Sequence, residues 1–133
     1  KDKFFFIQMQ QKKFKILYWI VTILFALSML GSGIAELIGS EQGDAVLIHL
    51  GYPMYISIIL GIAKVIGSIV IVQYKYKTLK EWAYSGFTID FIGASASHTF
   101  KGDTFLMILT PLIFLGVMFT SYFLWKKTTQ TST

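Results

Sequence analysis

The sequence predicts an all-α integral membrane protein, an up-down bundle of four transmembrane helices. Composition and the spacing of apolar segments are the two observations that predict it. Of the 133 residues, 54% are hydrophobic and only 14% are charged, whereas about 25% are charged in a typical soluble domain. A soluble monomer of this composition would expose large apolar patches, which such proteins avoid. Burial in lipid removes that difficulty.

Four apolar segments approach the roughly 20 residues that a helix needs to cross a hydrocarbon core about 30 Å thick. Backbone polar groups within lipid must be satisfied inside the segment itself, so all four are expected to be helices. Their short connections make neighbouring helices antiparallel. The third segment is the least apolar, and Pro111 lies in the first two turns of the fourth, where proline is tolerated. The predicted helices are residues 16–38, 54–72, 81–98 and 105–125.

The placement of lysine predicts which ends face the cytoplasm. The chain has no arginine, and ten of its twelve lysines precede the first segment, lie between the second and third, or follow the fourth. Only Lys101 lies on the opposite side, and Lys64 lies within a segment. The prediction is a multi-pass protein of the bacterial inner (plasma) membrane with both ends inside. Its parts are a cytoplasmic segment, a transmembrane domain and a cytoplasmic tail, at residues 1–15, 16–127 and 128–133.

Composition also excludes several function classes. Because the chain has no cysteine, a disulfide framework, a thiolate metal site and the dithiol chemistry of vitamin K epoxide reductase are excluded. The net charge of +5 comes from lysines at helix ends, where they face lipid headgroups. The lipid bilayer is therefore an expected partner and nucleic acid is not, while the oligomeric state stays open.

Two opposite charges are predicted near the middle of the membrane. With a rise of about 1.5 Å per residue, Lys64 lies about 16 Å from the outer end of the second segment and Asp90 about 15 Å from the inner end of the third. Equal depth on sequential helices predicts a buried Lys64–Asp90 ion pair. Intramembrane charges often serve function, but structural ion pairs also occur. The pair therefore either fixes helix register or takes part in ligand binding or a proton path.

Small and polar residues accompany both charges at helical spacing. Such residues let membrane helices approach closely and bond across the contact. In the second segment they are Ser57, Gly61 and Ser68, and in the third Gly86, Gly93 and Ser97. Both faces are predicted to point into the bundle. The resulting intramembrane polar core, which is also the candidate ligand-binding site, consists of Ser57, Lys64, Ser68, Asp90 and Ser97.

A second polar cluster is predicted at the outer mouth of the bundle, formed by Ser32, Glu36 and His98, with His49 and Asp103 approaching from the outer loops. A carboxylate with a histidine suits proton exchange or weak metal binding. The alternative is simple hydrogen bonding to solvent and headgroups. The ligand spacing of a metal site is not evident, and neither a nucleophile–base arrangement nor a phosphate loop occurs. No metal ligand and no catalytic residue is predicted.

The order of several short motifs resembles that of the DoxX-like membrane proteins, over roughly residues 14–127. The resemblance implies a four-helix protein of the DoxX superfamily. That superfamily takes its name from a subunit of an archaeal thiosulfate:quinone oxidoreductase, and its distant relatives include a chaperone for acetylcholine receptor assembly. The motifs are Tyr18-Trp19, Ser32-Gly33-Ile34, Leu50-Gly51-Tyr52-Pro53, Leu60-Gly61-Ile62-Ala63-Lys64, Leu79-Lys80-Glu81-Trp82-Ala83-Tyr84, Ile92-Gly93-Ala94, Ser97-His98 and Gly102-Asp103.

Three functions remain to be distinguished. The first is a non-enzymatic accessory subunit, which binds a hydrophobic small molecule or a membrane protein partner between its helices. The second, suggested by the resemblance alone, is a quinone-linked oxidoreductase subunit with quinone as its cofactor. The third is a proton-coupled small-molecule transporter. The position of Glu36 near a helix end and the strong lysine bias disfavour the third, and the first is the prediction.

Overall fold

The computed structural model describes residues 2–129, which form five helices joined by short connections and contain no strand. This confirms the predicted all-α class. The helices are α1 (Asp2–Leu37), α2 (Glu41–Leu50), α3 (Tyr55–Val72), α4 (Lys77–Lys101) and α5 (Phe105–Thr129).

Helix α1 begins at Asp2, well before the predicted start at residue 16. No glycine or proline precedes Gly31, so no helix-breaking residue separates the polar amino-terminal stretch from the apolar segment. Helix α4 likewise begins at Lys77 rather than near residue 81, and α5 continues to Thr129 rather than ending near residue 125. The helices therefore extend beyond the apolar segments that the sequence outlines.

Helix α2 was not predicted; it lies in the connection between α1 and α3. Its boundaries carry ordinary sequence signals. The Ser40 side chain accepts a hydrogen bond from the backbone N–H of Gly43 at 3.2 Å, an amino-terminal cap. Gly51 ends the helix with φ of 85°, a conformation that favours glycine. At ten residues α2 is too short to cross a membrane, which is why a search for spanning segments passes over it.

Three helices in the described part of the chain are long and apolar enough to cross a membrane, namely α1, α3 and α5. These helices support the predicted membrane character. Helix α4 is not among them, since its serines, threonines and glycines and Asp90 make it less apolar than the other three. The fourth span and the up-down bundle as a whole therefore stay predictions.

The four long helices form a closed ring in the order α1, α3, α4, α5. Contacts run from late residues of one helix to early residues of the next, as in the bonds from Ser57 to the Glu36 carbonyl and from Lys64 to Ser32. The contact between α3 and α4 is the least extensive of the four. We call the end of the ring that carries α2 the α2 end, and the opposite end, with Lys77 and Lys126, the lysine-rich end.

Helices α1 and α3 meet at two glycines. A Cβ atom added to Gly33 would lie 2.9 Å from the carbonyl oxygen of Gly61 and 3.0 Å from Cβ of Lys64. A Cβ atom on Gly61 would in turn lie 2.9 Å from the Gly33 carbonyl oxygen. The two backbones approach this closely because neither residue carries a side chain. The contact sets which α1 residues Lys64 can reach.

Candidate ligand-binding cavity

A cavity of about 530 Å³ lies between the helices at the α2 end. All five helices contribute to its wall, and Leu47 and Leu50 of α2 close it on one side. Its volume is within the range of about 300–1,000 Å³ for small-molecule sites. Most of the wall is apolar, and the polar side chains that interrupt it are Ser28, Ser32, Glu36, Tyr52, Lys64, Asp90, His98 and Thr110.

The strongest interaction in the cavity wall joins Lys64 to Glu36. Lys64 Nζ lies 2.6 Å from Glu36 Oε1 and donates a second hydrogen bond to Ser32 Oγ at 3.1 Å. The two charged side chains are only 14% and 13% exposed. Ser57 and Ser68, both buried, hold the surrounding backbone by donating to the carbonyl oxygens of Glu36 and Lys64 at 2.9 and 2.6 Å. The pair is thus fixed between α1 and α3.

The predicted ion pair between Lys64 and Asp90 is wrong. Both residues line the cavity, but the partner of the ammonium is Glu36. The reason is the packing of α3, because α3 contacts α1 far more extensively than it contacts α4. The Gly33–Gly61 contact brings Lys64 directly against α1. The long lysine side chain can place its ammonium at a different depth from its own Cα, so depth alone did not identify its partner on α1.

Two carboxylate groups in the wall have acceptor capacity to spare. Asp90 forms no ion pair or hydrogen bond with any residue of 2–129, although it borders the cavity. The second oxygen of Glu36, Oε2, is buried and has no hydrogen-bond partner within the described chain. Buried acceptors are normally satisfied, so Glu36 Oε2 marks a point where a bound molecule could donate, and the partly buried Asp90 offers further acceptors beside the cavity.

A groove of about 460 Å³ between α3 and α4 adjoins the cavity. The cavity and the groove share four wall residues, which are Leu60, Lys64, Ile89 and Asp90. These residues therefore separate the cavity from the outer surface of the helices. The rest of the groove is apolar or small, lined by Ala63, Ile66, Gly67, Val70, Leu79, Trp82, Ala83, Gly86 and Phe87.

The small residues of α4 line the groove and the cavity rather than a tight contact with a neighbouring helix. A Cβ atom on Gly86 or Gly93 would meet nothing within 4 Å; Gly86 lines the groove and Gly93 the cavity. Neither glycine therefore makes a close helix–helix contact, although Gly93 faces the cavity between the helices. Ser97, on the same face, hydrogen-bonds the hydroxyl of Tyr52 and donates to the Gly93 carbonyl at 2.8 Å.

Two histidines and an aspartate join α2 to the rest of the protein. Asp103, in the α4–α5 connection, accepts hydrogen bonds from His98 Nδ1 at 2.7 Å and from His49 Nε2 at 2.6 Å. We call these three residues the α2 latch. Sequence reasoning placed them at one mouth but matched His98 with Glu36, whereas Glu36 binds Lys64. Over residues 2–129, no group of three or more metal-ligating side chains is placed to hold a metal ion.

Removing the latch carboxylate is expected to free α2. In Asp103→Ala both imidazoles lose their acceptor, so amide hydrogens of residues 41–50 should exchange about tenfold faster. Hydrogen exchange with mass spectrometry would measure this, with Lys101→Ala as a control at an exposed position beside the same connection. Equal exchange in both variants would show that other contacts hold α2.

The latch should also persist into mild acid. Hydrogen bonds from His98 and His49 hold the pKa of Asp103 below its usual value. A lowered folded-state pKa contributes stability above the ordinary aspartate value of about 4, and that stability is lost only as the pH falls through the lowered value. Protection of α2 should therefore survive from neutral pH to about 4 and decline below it.

Sequence reasoning missed a caged lysine at the lysine-rich end. Lys80 is 1% exposed and donates a hydrogen bond to the hydroxyl of Tyr18. Its Nζ lies 4.7, 4.8 and 4.9 Å from the ring centroids of Tyr18, Tyr74 and Trp125, so cation–π attraction replaces a carboxylate partner. The three rings belong to α1, the α3–α4 connection and α5. No local pattern could therefore reveal the cage.

Comparison with known proteins gives one result. The family model described as DoxX-like family matches residues 20–121, which include α2, α3 and all the polar residues of the cavity wall. No curated protein sequence and no solved structure matches significantly.

Proposed function

The chain belongs to the DoxX-like family, and from that premise we propose that it is a membrane-embedded binding protein for a hydrophobic small molecule. Its role is that of an accessory subunit without catalysis of its own. The molecule occupies the cavity at the α2 end and extends into the groove between α3 and α4.

In this proposal all four long helices cross the inner membrane as an up-down bundle, with both chain ends in the cytoplasm. The lysine bias supports the orientation. The closed ring of helix contacts supports the crossing of α4, because packing against the apolar helices α3 and α5 would cover part of its polar surface within the membrane. Helix α2 and its latch then lie at the outer surface.

The observation that carries the proposal is the shared wall between cavity and groove. A chain in the groove would face lipid on one side and meet Lys64 and Asp90 at its inner end. Pockets of this kind combine apolar walls with a few polar groups that fix orientation. A ligand could then enter sideways from the bilayer, without passing the latched α2.

Filling either space should abolish binding. Gly86→Leu places a side chain in the groove and Gly93→Leu places one in the cavity, both where a Cβ meets nothing within 4 Å. The matched control is Gly116→Leu on α5, which also has free space and lines neither pocket. Native mass spectrometry of gently solubilised protein should show a bound amphiphile in the wild type and the control, and its loss in both filled variants. Retention in both filled variants would contradict the site.

Quinone-linked electron transfer and proton-coupled transport gain no specific support from the residues described. Quinone in a solvent extract of the purified protein would favour the first, and substrate-driven proton flux abolished by Asp90→Asn would favour the second. The binding role needs neither a redox group nor a continuous proton path.

A further inference from the structure

We propose that the ligand of this cavity carries a cationic, hydrogen-donating head, as a long-chain primary amine does. The inference rests on the binding role proposed above and deepens it by naming the chemistry of the head. It follows from the charges and the unsatisfied acceptors in the cavity wall.

The wall holds one carboxylate more than it can neutralise. Glu36 and Asp90 are the acidic residues that line the cavity, and Lys64 is its ammonium. Lys64 is bound to Glu36, and His98, the other basic side chain of the wall, is bound to Asp103 outside it. Asp90 forms no ion pair of its own within residues 2–129, and the Lys64 ammonium acts on it only from beyond ion-pair distance. A carboxylate that lacks an ion-pair partner is costly in a medium of low dielectric constant, so a cation in direct contact with Asp90 would be favoured.

Both carboxylates of the same wall have oxygens that accept no hydrogen bond within residues 2–129. Glu36 Oε2 is a buried acceptor with no donor in the described part of the protein, and the Asp90 oxygens are also unbonded there. A primary ammonium has three N–H donors and no acceptor, which matches that deficit. An anionic head would meet two carboxylates and find the nearby ammonium already paired. A neutral alcohol has one donor and no charge, and it would satisfy the site only in part.

The groove indicates where the apolar chain of the ligand would lie. Asp90 and Lys64 stand where groove and cavity meet, while the remainder of the groove is apolar or small. A head beside Asp90 therefore directs its chain between α3 and α4, the least extensive contact in the ring. Trp82 lines the groove and would lie alongside the chain.

The test is binding of tritiated dodecylamine to the full-length protein in phosphatidylcholine nanodiscs, with empty nanodiscs correcting for partition into lipid. Unlabelled dodecylamine, dodecyltrimethylammonium, dodecanol and dodecanoate compete, since they differ only in the head. The variants are Asp90→Asn and Glu36→Gln, and the control is Asp2→Asn, which removes a carboxylate at an exposed, distant position.

We expect saturable binding that dodecylamine competes about tenfold better than dodecanoate or dodecanol. Dodecyltrimethylammonium, which has a positive charge but no N–H group, should compete less well than dodecylamine and better than dodecanol or dodecanoate. Asp90→Asn should weaken dodecylamine binding about tenfold, with no change in Asp2→Asn. The competition order in the wild type decides the matter if a variant does not fold.

Two results would overturn the proposal of a cationic head, and they differ in whether the hydrophobic binding role survives. Equal competition by all four heads, with binding still lost in Gly86→Leu, would leave a chain-binding site without selectivity for a cation. No dodecylamine binding above the level of empty nanodiscs would overturn this inference, and if native mass spectrometry of the wild type also showed no bound amphiphile, the hydrophobic binding role would be removed with it.

Discussion

Replacing Lys64 with methionine is expected to lower the free energy of unfolding by about 3–5 kcal/mol, because the Glu36 carboxylate is left buried without its counter-charge. The ammonium lies 2.6 Å from that carboxylate and both side chains are largely covered. Methionine keeps much of the volume of lysine, so packing changes little. Reversible unfolding in mixed micelles would measure the loss.

Lys77→Met is the matched control, since Lys77 is exposed in the first turn of α4. Its effect should stay within about 0.5 kcal/mol, as for most surface substitutions. A loss below about 1 kcal/mol in Lys64→Met would place the pair among exposed ion pairs, and the buried pairing would then be wrong.

Gly33→Ala is expected to lower the free energy of unfolding by about 1–3 kcal/mol, the usual range for overpacking. The added methyl group would lie 2.9 Å from the Gly61 carbonyl oxygen, and a backbone atom cannot turn away as a side chain does. Helices α1 and α3 would have to separate, which also disturbs Lys64 beside the contact. Unfolding measurements under identical conditions give the comparison.

The control for this prediction lies two residues away. A Cβ atom on Gly31 would meet nothing within 4 Å, and alanine favours a helix over glycine by about 1 kcal/mol. Gly31→Ala should therefore be neutral or stabilising. If the two variants change stability equally, the close approach of α1 and α3 does not depend on Gly33.

Sequence reasoning identified the helical class because apolar composition and segment length depend on local residues only. It also placed Ser32, Glu36, Lys64, Asp90 and His98 near one end and the middle of the bundle, and the structure brings these five residues to one cavity wall. The depth of a residue along a helix can be counted from the sequence, and that count was enough to predict that these residues lie near one another.

The hydrogen-bond and ion-pair partners of these residues could not be predicted from depth. Depth gave Lys64 one carboxylate partner, Asp90, whereas it pairs with Glu36, and that pairing depends on the Gly33–Gly61 contact between helices α1 and α3. The cage around Lys80 depended likewise on rings from three elements. Helix α2 was different, since Ser40 and Gly51 marked its ends and attention to caps would have found it.

The pairing of Lys64 with Glu36, which leaves Asp90 available to a ligand, is tested most directly by two double-mutant cycles. One combines Lys64→Met with Glu36→Gln and the other combines Lys64→Met with Asp90→Asn, each with unfolding free energies measured for all four forms. The structure predicts a coupling above about 1 kcal/mol for Lys64 with Glu36 and a smaller one for Lys64 with Asp90. A larger coupling between Lys64 and Asp90 would contradict it.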